Sequence, residues 1–324
     1  MTSDGPLCLV TGATGYIGSR LVPVLLERGM RIRVLARTPA KLAAAPWRDE
    51  VDVVRGDLTD PASLDRACAD GAGPVDVVYH LVHAMGTSAD FAAAERQGAL
   101  NVAGAARRHE VGRIVYLGGL HPDGGGLSRH LQSRTEVGHI LSESGVTTMV
   151  LQAGVVIGAG SAAFEMIRQL CNRLPVMTTP RWVHNKIQPI AIDDVLHYLA
   201  GAATAAVDGS RTWDIGGPDV LEYGDMMQVY TAESGRRRRM IVVLPWLTPT
   251  IASLWVGLVT PIPPGLARPL VESLHCDAVV AERDIDAVIA PPAGGLTPYR
   301  RAVQMALNQV GAAGLLPSDP AWAG

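Results

Sequence analysis

The chain is poor in aromatic residues, in lysine and in clustered cysteine. Aromatics make up 5% of its 324 residues, two of them phenylalanine, so a large core has to come from aliphatic side chains and close backbone contacts. Lys41 and Lys186 are the only lysines; the other basic residues are arginine. Net charge is −3, which gives no global reason to expect a nucleic-acid partner. Cys8, Cys68, Cys171 and Cys276 lie far apart, without a Cys-x-x-Cys pair or clustered histidines. Metal or disulfide chemistry is therefore not expected, and a reducing, cytoplasmic setting is. The opening residues lack the basic start of a secretory signal. No run approaches the roughly 20 apolar residues of a membrane span; the most hydrophobic stretch, residues 251–259 with its flanks, sits between Pro249 and Pro261. No transmembrane segment is expected.

What the chain does have is Leu7-Cys-Leu-Val-Thr-Gly-Ala-Thr-Gly-Tyr-Ile-Gly18. Four apolar residues read as a buried strand, glycines fall at Gly12, Gly15 and Gly18, and helical spacing follows from Ile17 to Leu26. A strand entering a glycine turn that opens a helix is a phosphate cradle. Small residues admit the backbone to a pyrophosphate, and the helix N-terminus offers free N–H groups. The pattern then predicts helix 16–28 closed by Gly29, and strands over 31–36, 51–55, 75–82, 113–118 and 147–152, with helical signal over 89–109 between the fourth and fifth. Strands alternating with helices imply right-handed crossovers and a doubly wound parallel α/β (Rossmann) sheet over residues 1–158. A smaller, mostly helical substrate or lid region over 159–324 is interwoven with it. Ligands bind beyond the carboxyl ends of such strands, where Gly12, Arg37, Asp57, Leu81, Gly118 and Ala153 fall. Where NAD-selective folds carry an acidic residue after the second strand, this chain offers Arg37, with Lys41 a turn on, a pairing suited to a 2′-phosphate. Asp57 stands where it can meet an adenine amino group or cap the next helix.

Thr11-Gly-Ala-Thr-Gly-Tyr-Ile-Gly18, Gly56-Asp57-Leu58, Asn101 and Gln188-Pro-Ile-Ala-Ile-Asp-Asp194 resemble the short-chain dehydrogenase/reductase superfamily. More narrowly the chain is similar to its atypical, NmrA-like NAD(P)H-binding branch, over most of residues 7–220. The resemblance implies an NAD(P) cofactor, NADP(H) preferred and NAD(H) possible, held by Gly12, Thr14, Gly15, Tyr16, Ile17, Arg37, Asp57, Leu58, Leu81 and Val82. The superfamily's catalytic set is a serine after the fifth strand and Tyr-x-x-x-Lys on the next helix, where the lysine brings a tyrosine of pKa near ~10 into a useful range. Here the strand ends in Gly118-Gly119-Leu120, and the next segment reads Ser128-Arg-His-Leu-Gln-Ser-Arg134. At the i, i+4 spacing stand His130 and Arg134. A cation beside imidazole disfavours imidazolium, so His130 is expected to be neutral at pH 7 and to act as base or acceptor while Arg134 steadies an oxyanion. The other reading makes His130 a helix cap and Arg134 the partner of a carboxylate. His80 and His83 read as packed or exposed fillers of their strand.

Further on, helices are expected over 161–173, 222–233 and 298–310, and one capped by Asp193. Residues 213–217 read as a short strand and turn, residues 284–292 as loose. Trp182 is a candidate substrate wall or core residue. Arg236 to Arg239, followed by an apolar segment carrying Trp246, Leu254 and Trp255, reads as a substrate lid, an oligomer contact or a membrane-surface patch, with Trp255 a substrate candidate. The composite expectation is an NAD(P)H-dependent oxidoreductase. Its apolar, cyclic or aromatic substrate would be of quinone or phenol type, as in aromatic polyketide tailoring by reduction or oxygenation. It would be a monomer or homodimer. The alternative is a non-catalytic, NmrA-like cofactor sensor.

Overall fold

The computed structural model describes residues 5–69, 73–83, 91–122, 127–244, 271–312 and Asp319. Six strands, β1 (Leu7–Thr11), β2 (Arg31–Ala36), β3 (Asp52–Arg55), β4 (Val77–His80), β5 (Arg113–Gly119) and β6 (Thr148–Ala153), alternate with helices α1 (Tyr16–Glu27), α2 (Pro61–Ala69), α3 (Phe91–Arg108) and α4 (Arg129–Ser142). Short strands β7 (Val156–Ile157), β8 (Val176–Thr179), β9 (Lys186–Ile187) and β10 (Ile190–Ala191) follow, with α5 (Ala162–Arg173) between the first two of them. After α6 (Ile192–Ala202), β11 (Arg211–Ile215) returns to the edge of the main sheet. The sheet has seven strands in the order β3-β2-β1-β4-β5-β6-β11, every pair parallel. The chain order reverses beside β1, and a crevice opens there at the strands' carboxyl ends.

The strands are buried on both sides, and successive residues serve opposite faces. In β1, Cys8 and Val10 pack under α1 and α6 with Leu21, Leu25, Val195 and Leu199. Leu7 and Leu9 pack under α2, α3 and α4 with Leu64, Val102 and Leu141. The scarcity of aromatics is matched by Gly98, Ala99, Ala105 and Ala106, whose lack of bulk lets α3 lie close on the sheet. A second core, around Phe164, Met177, Tyr223, Tyr230 and Val303, joins α5, α7 (Tyr223–Glu233) and the terminal helix Tyr299–Ala312. On its flank, β12 (Leu221–Glu222) pairs antiparallel with β9, and β13 (Met240–Val243) pairs parallel with β8.

Two expectations are corrected. Residues 284–292 are not loose: Ile285 and Ile289 are buried in the core of the main sheet, and Ile285–Val288 is one helical turn. Ala191, not Asp193, is the N-cap of α6; Asp194 instead accepts from the Thr297 N–H at 2.8 Å, tying the helix to a distant loop. The residues 245–270, which contain most of the apolar lid candidate, lie outside the described ones. Among the described residues no helix is long and apolar enough to cross a membrane.

Candidate active site and cofactor cleft

The cradle after β1 needs its glycines. Gly12 has φ +82°, and a Cβ there would come within 2.9 Å of the Leu81 carbonyl carbon; one on Gly18 would lie 2.3 Å from the Gly12 oxygen. Either side chain would force the turn off the neighbouring loop. Gly15 is the N-cap of α1 and no side chain caps this end, so the first-turn N–H groups face outward with a dipole that favours an anion. This turn fits a dinucleotide's pyrophosphate.

Beside it lies a cleft of about 150 Å³ lined by Gly12, Thr14, Arg37, Asp57, Leu58 and Val82. Six of the ten sequence-predicted cofactor residues thus meet in one place. Arg37 is exposed at the end of β2, facing the cleft with its charge in solvent. Lys41 lines a separate cavity under Trp47 and does not join it. Asp57 does not cap α2; its carboxylate accepts from the Thr59 N–H at 2.9 Å and the Thr59 hydroxyl at 2.8 Å. Those bonds, backbone first, hold its carboxyl below the usual range. Asn101 shapes the same wall by donating to the Leu58 carbonyl at 2.7 Å. His80, on β4, also lines the cleft and is 3% exposed. Gly15 and Tyr16 are absent from the lining. The Tyr16 phenol turns away, its oxygen occupying the space beside Gly158 and the Arg20 guanidinium lying 4.0 Å over its ring. Only the Tyr16 backbone remains for a phosphate.

Past Val82 the cleft continues into a cavity of about 310 Å³. Ile17, Leu81 and Val82 wall its near side; Met166, Leu170, Trp182 and Tyr223 wall the far side. Trp182 meets Tyr223 edge to face at 5.8 Å. Trp255 lies outside the described residues. The polar groups sit at the junction: His130 and Arg134 from α4, and His83 just past β4. Ser128 caps α4 by accepting from the Leu131 N–H, so His130 is not the cap. Arg134 is bonded not to a carboxylate but to the Leu117 carbonyl at the end of β5. A Cβ on the neighbouring Gly119 would crowd the Leu131 side chain at 3.1 Å while only touching the Arg134 Nε at 3.7 Å. His130 is held neutral, its pKa pushed down to about 3, chiefly by burial, then by His83, then by Arg134. The sign matches the sequence-based expectation, but the leading cause is desolvation rather than the neighbouring cation.

His83, read from the sequence as a packed or exposed filler, lines the cavity and has a carboxylate partner. Its Nδ1 is 2.6 Å from Glu95 Oε1 on α3, and its ring meets that of His130 edge-on at 4.5 Å. The Ser133 hydroxyl donates to the other Glu95 oxygen at 2.5 Å. The one signal available was position: His83 stands three residues past β4, where such folds place ligands. Among the described residues no group of three or more His, Cys, Asp or Glu is arranged to hold a metal.

Residues 8–137 match the family model described as the NAD dependent epimerase/dehydratase family. A ceramide reductase of Caulobacter vibrioides is 32% identical over 52% of this chain and 52% of its own length. A 3β-hydroxysteroid dehydrogenase/Δ5→4-isomerase of Mycobacterium tuberculosis is 35% identical over 36% of this chain and 32% of its own. The chain therefore spans about half, or less, of the length of these curated relatives. The crystal structure of a Citrobacter triphenylmethane reductase complexed with NADP(H) superposes with a TM-score of 0.71 and 18% identity, covering 92% of this chain and 99% of that one.

Proposed function

We propose that the chain, whose residues 8–137 match the NAD dependent epimerase/dehydratase family model, is an NAD(P)-dependent oxidoreductase. Its substrate is a large apolar, cyclic or aromatic compound bearing a carbonyl, quinone or hydroxyl group. The observation that carries this is Val82, which lines both the dinucleotide cleft and the apolar cavity. A cofactor seated in the first would present its reactive end to the second. The names of the two relatives, ceramide reductase and hydroxysteroid dehydrogenase, support a greasy substrate in a cavity of this lining.

When bound, the nicotinamide supplies or accepts the hydride. The chain's own residues then do the rest. Ile17, Leu81 and Val82 exclude water around the reacting carbon, which strengthens nearby electrostatics. His130, neutral and half-buried, directs a ring N–H at the substrate oxygen. Arg134, fixed to the Leu117 carbonyl, adds fixed positive charge where an oxyanion develops. NADP(H) is the preferred cofactor on account of Arg37, which supplies a guanidinium where a 2′-phosphate would lie.

The test is direct. The protein is incubated with NADPH, and separately NADH, against quinones, cyclic ketones and long-chain ketones, and cofactor oxidation is followed optically. Turnover of at least one apolar carbonyl, faster with NADPH, is expected; Arg37→Ala should erase the preference. Tight NADP⁺ binding without any turnover would replace this reading with that of a cofactor sensor, to which the missing serine, tyrosine and lysine also point.

A further inference from the structure

Resting on that oxidoreductase reading, we infer that the residue exchanging a proton with the substrate is His83, oriented by Glu95 and Ser133, and not His130. The His83–Glu95–Ser133 arrangement is assembled from three separate segments of the chain. Glu95 projects from α3 with 7% of its side chain exposed, and both its oxygens are engaged: Oε1 by His83 Nδ1 at 2.6 Å, Oε2 by the Ser133 hydroxyl at 2.5 Å. A carboxylate only accepts, so His83 carries its proton on Nδ1. Nε2 is then the lone-pair nitrogen. That atom is buried and has no hydrogen-bond partner among the described residues, and its ring lines the apolar cavity beside His130. An unpaired acceptor in an apolar cavity is costly unless a ligand donor fills it.

Among the described residues no carboxylate is hydrogen-bonded to His130. Its pKa of about 3 makes it a weak base at neutral pH, suited to hydrogen bonding and not to carrying a proton. His83 is also held below the usual imidazole value, by burial and Arg134, with Glu95 opposing both. It therefore stands unprotonated, as a base must. Among the described residues, the charged or titratable groups facing it are Glu95 from α3 and His130 and Arg134 from α4.

In the oxidation direction, the substrate O–H bond breaks and its proton passes to His83 Nε2. The adjacent C–H bond breaks with its electron pair leaving as hydride to NAD(P)⁺, and the C=O π bond forms. Reduction runs the same steps backwards, imidazolium returning the proton. Glu95 is a positioning residue: it fixes the tautomer and favours the imidazolium that forms.

Two measurements test this on the full chain. Selective ¹⁵N-histidine NMR reads the tautomer without any substrate; His83 should carry hydrogen on Nδ1 at pH 7, and Glu95→Gln should redistribute it. A dominant Nε2–H form in the wild type would overturn the assignment. On whichever apolar carbonyl the panel above identifies, His83→Gln should lower kcat by about 100-fold or more, with NADP⁺ affinity by calorimetry unchanged. His130→Gln should act mostly on KM. Glu95→Gln should move the acid limb of kcat/KM to lower pH, because the carboxylate that favours imidazolium is gone, and Glu95→Asp should restore part of it. His83→Gln within about threefold of wild-type kcat would refute the proton role. Absence of all turnover would sink the oxidoreductase reading instead; the NMR spectrum would still decide which His83 nitrogen carries the proton.

Discussion

At the residue scale, the site is built from histidines that burial has stripped of charge. His80 shows the consequence for stability. Burial is the first cause that holds its pKa down, to about 4, with Glu95 opposing and Arg134 reinforcing. A folded-state value below that of the unfolded chain (about 6.5) means the unfolded state binds more protons between the two. Stability is therefore full above about pH 6.5 and is lost as pH falls toward 4, by an amount on the order of 3 kcal/mol. His80→Leu should flatten that fall, since its Nδ1 has no partner to lose among the described residues. Thermal melts at pH 7 and pH 5 check this: a wild-type difference that the substitution leaves untouched would assign the acid sensitivity elsewhere. That His130 and Arg134 share one helix face was legible from their i, i+4 spacing, which holds whatever the tertiary fold. The surroundings of His83 were not, since its partners lie 12 residues away on a helix and, through Glu95, a further 38 residues on.

At the element scale, the strand-turn-helix unit around Gly12 and Gly18 is the part most sensitive to a single atom. Gly18→Ala would press a methyl against the Gly12 oxygen and the Ala13 backbone. It should weaken dinucleotide binding by about tenfold or more; calorimetric affinity equal to wild type would show that the turn relaxes freely. The one-turn helix Ile285–Val288 makes the opposite point. Its sequence carries no strong periodicity over so few residues, so it looks like loop, yet Ile285 is 2% exposed beneath the sheet. Ile285→Ala should destabilise by about 2–4 kcal/mol through lost burial and the cavity left behind. A change under about 0.5 kcal/mol in urea titration would mean the segment is a surface loop after all.

At the scale of the whole molecule, the first six strands are tied to elements that follow them in the chain. β11 pairs with β6 along its full length, and α6 packs against α1 on one face of the sheet, with Tyr198 and Leu199 entering the core. The Tyr79 hydroxyl on β4 donates to the Leu199 carbonyl at 2.9 Å, stitching the two halves through the interior. A fragment of residues 1–158 would expose β6 as a new edge and uncover the apolar face of α1, a recipe for aggregation. We expect it to be insoluble or to lack cooperative unfolding by circular dichroism; a sharp two-state melt would show that the first six strands suffice. In the intact chain, saturating NADP⁺ should raise the melting temperature, because only the folded cradle binds it.

The sequence by itself determined the parallel sheet, the glycine cradle and the arginine after β2. Each of these is written in neighbouring residues: apolar runs, glycine spacing and the 3.6-residue repeat are local and survive without knowledge of the fold. Only the tertiary structure decided that Tyr16 faces away from the cleft, that Arg134 is tied to a strand-end carbonyl, and that β11 and Ile285 belong to the main core. It alone brought His83, Glu95 and Ser133 together. Those facts depend on which elements lie side by side, and on how deeply each side chain is withdrawn from water. Such long-range contacts leave no periodic trace along a single chain.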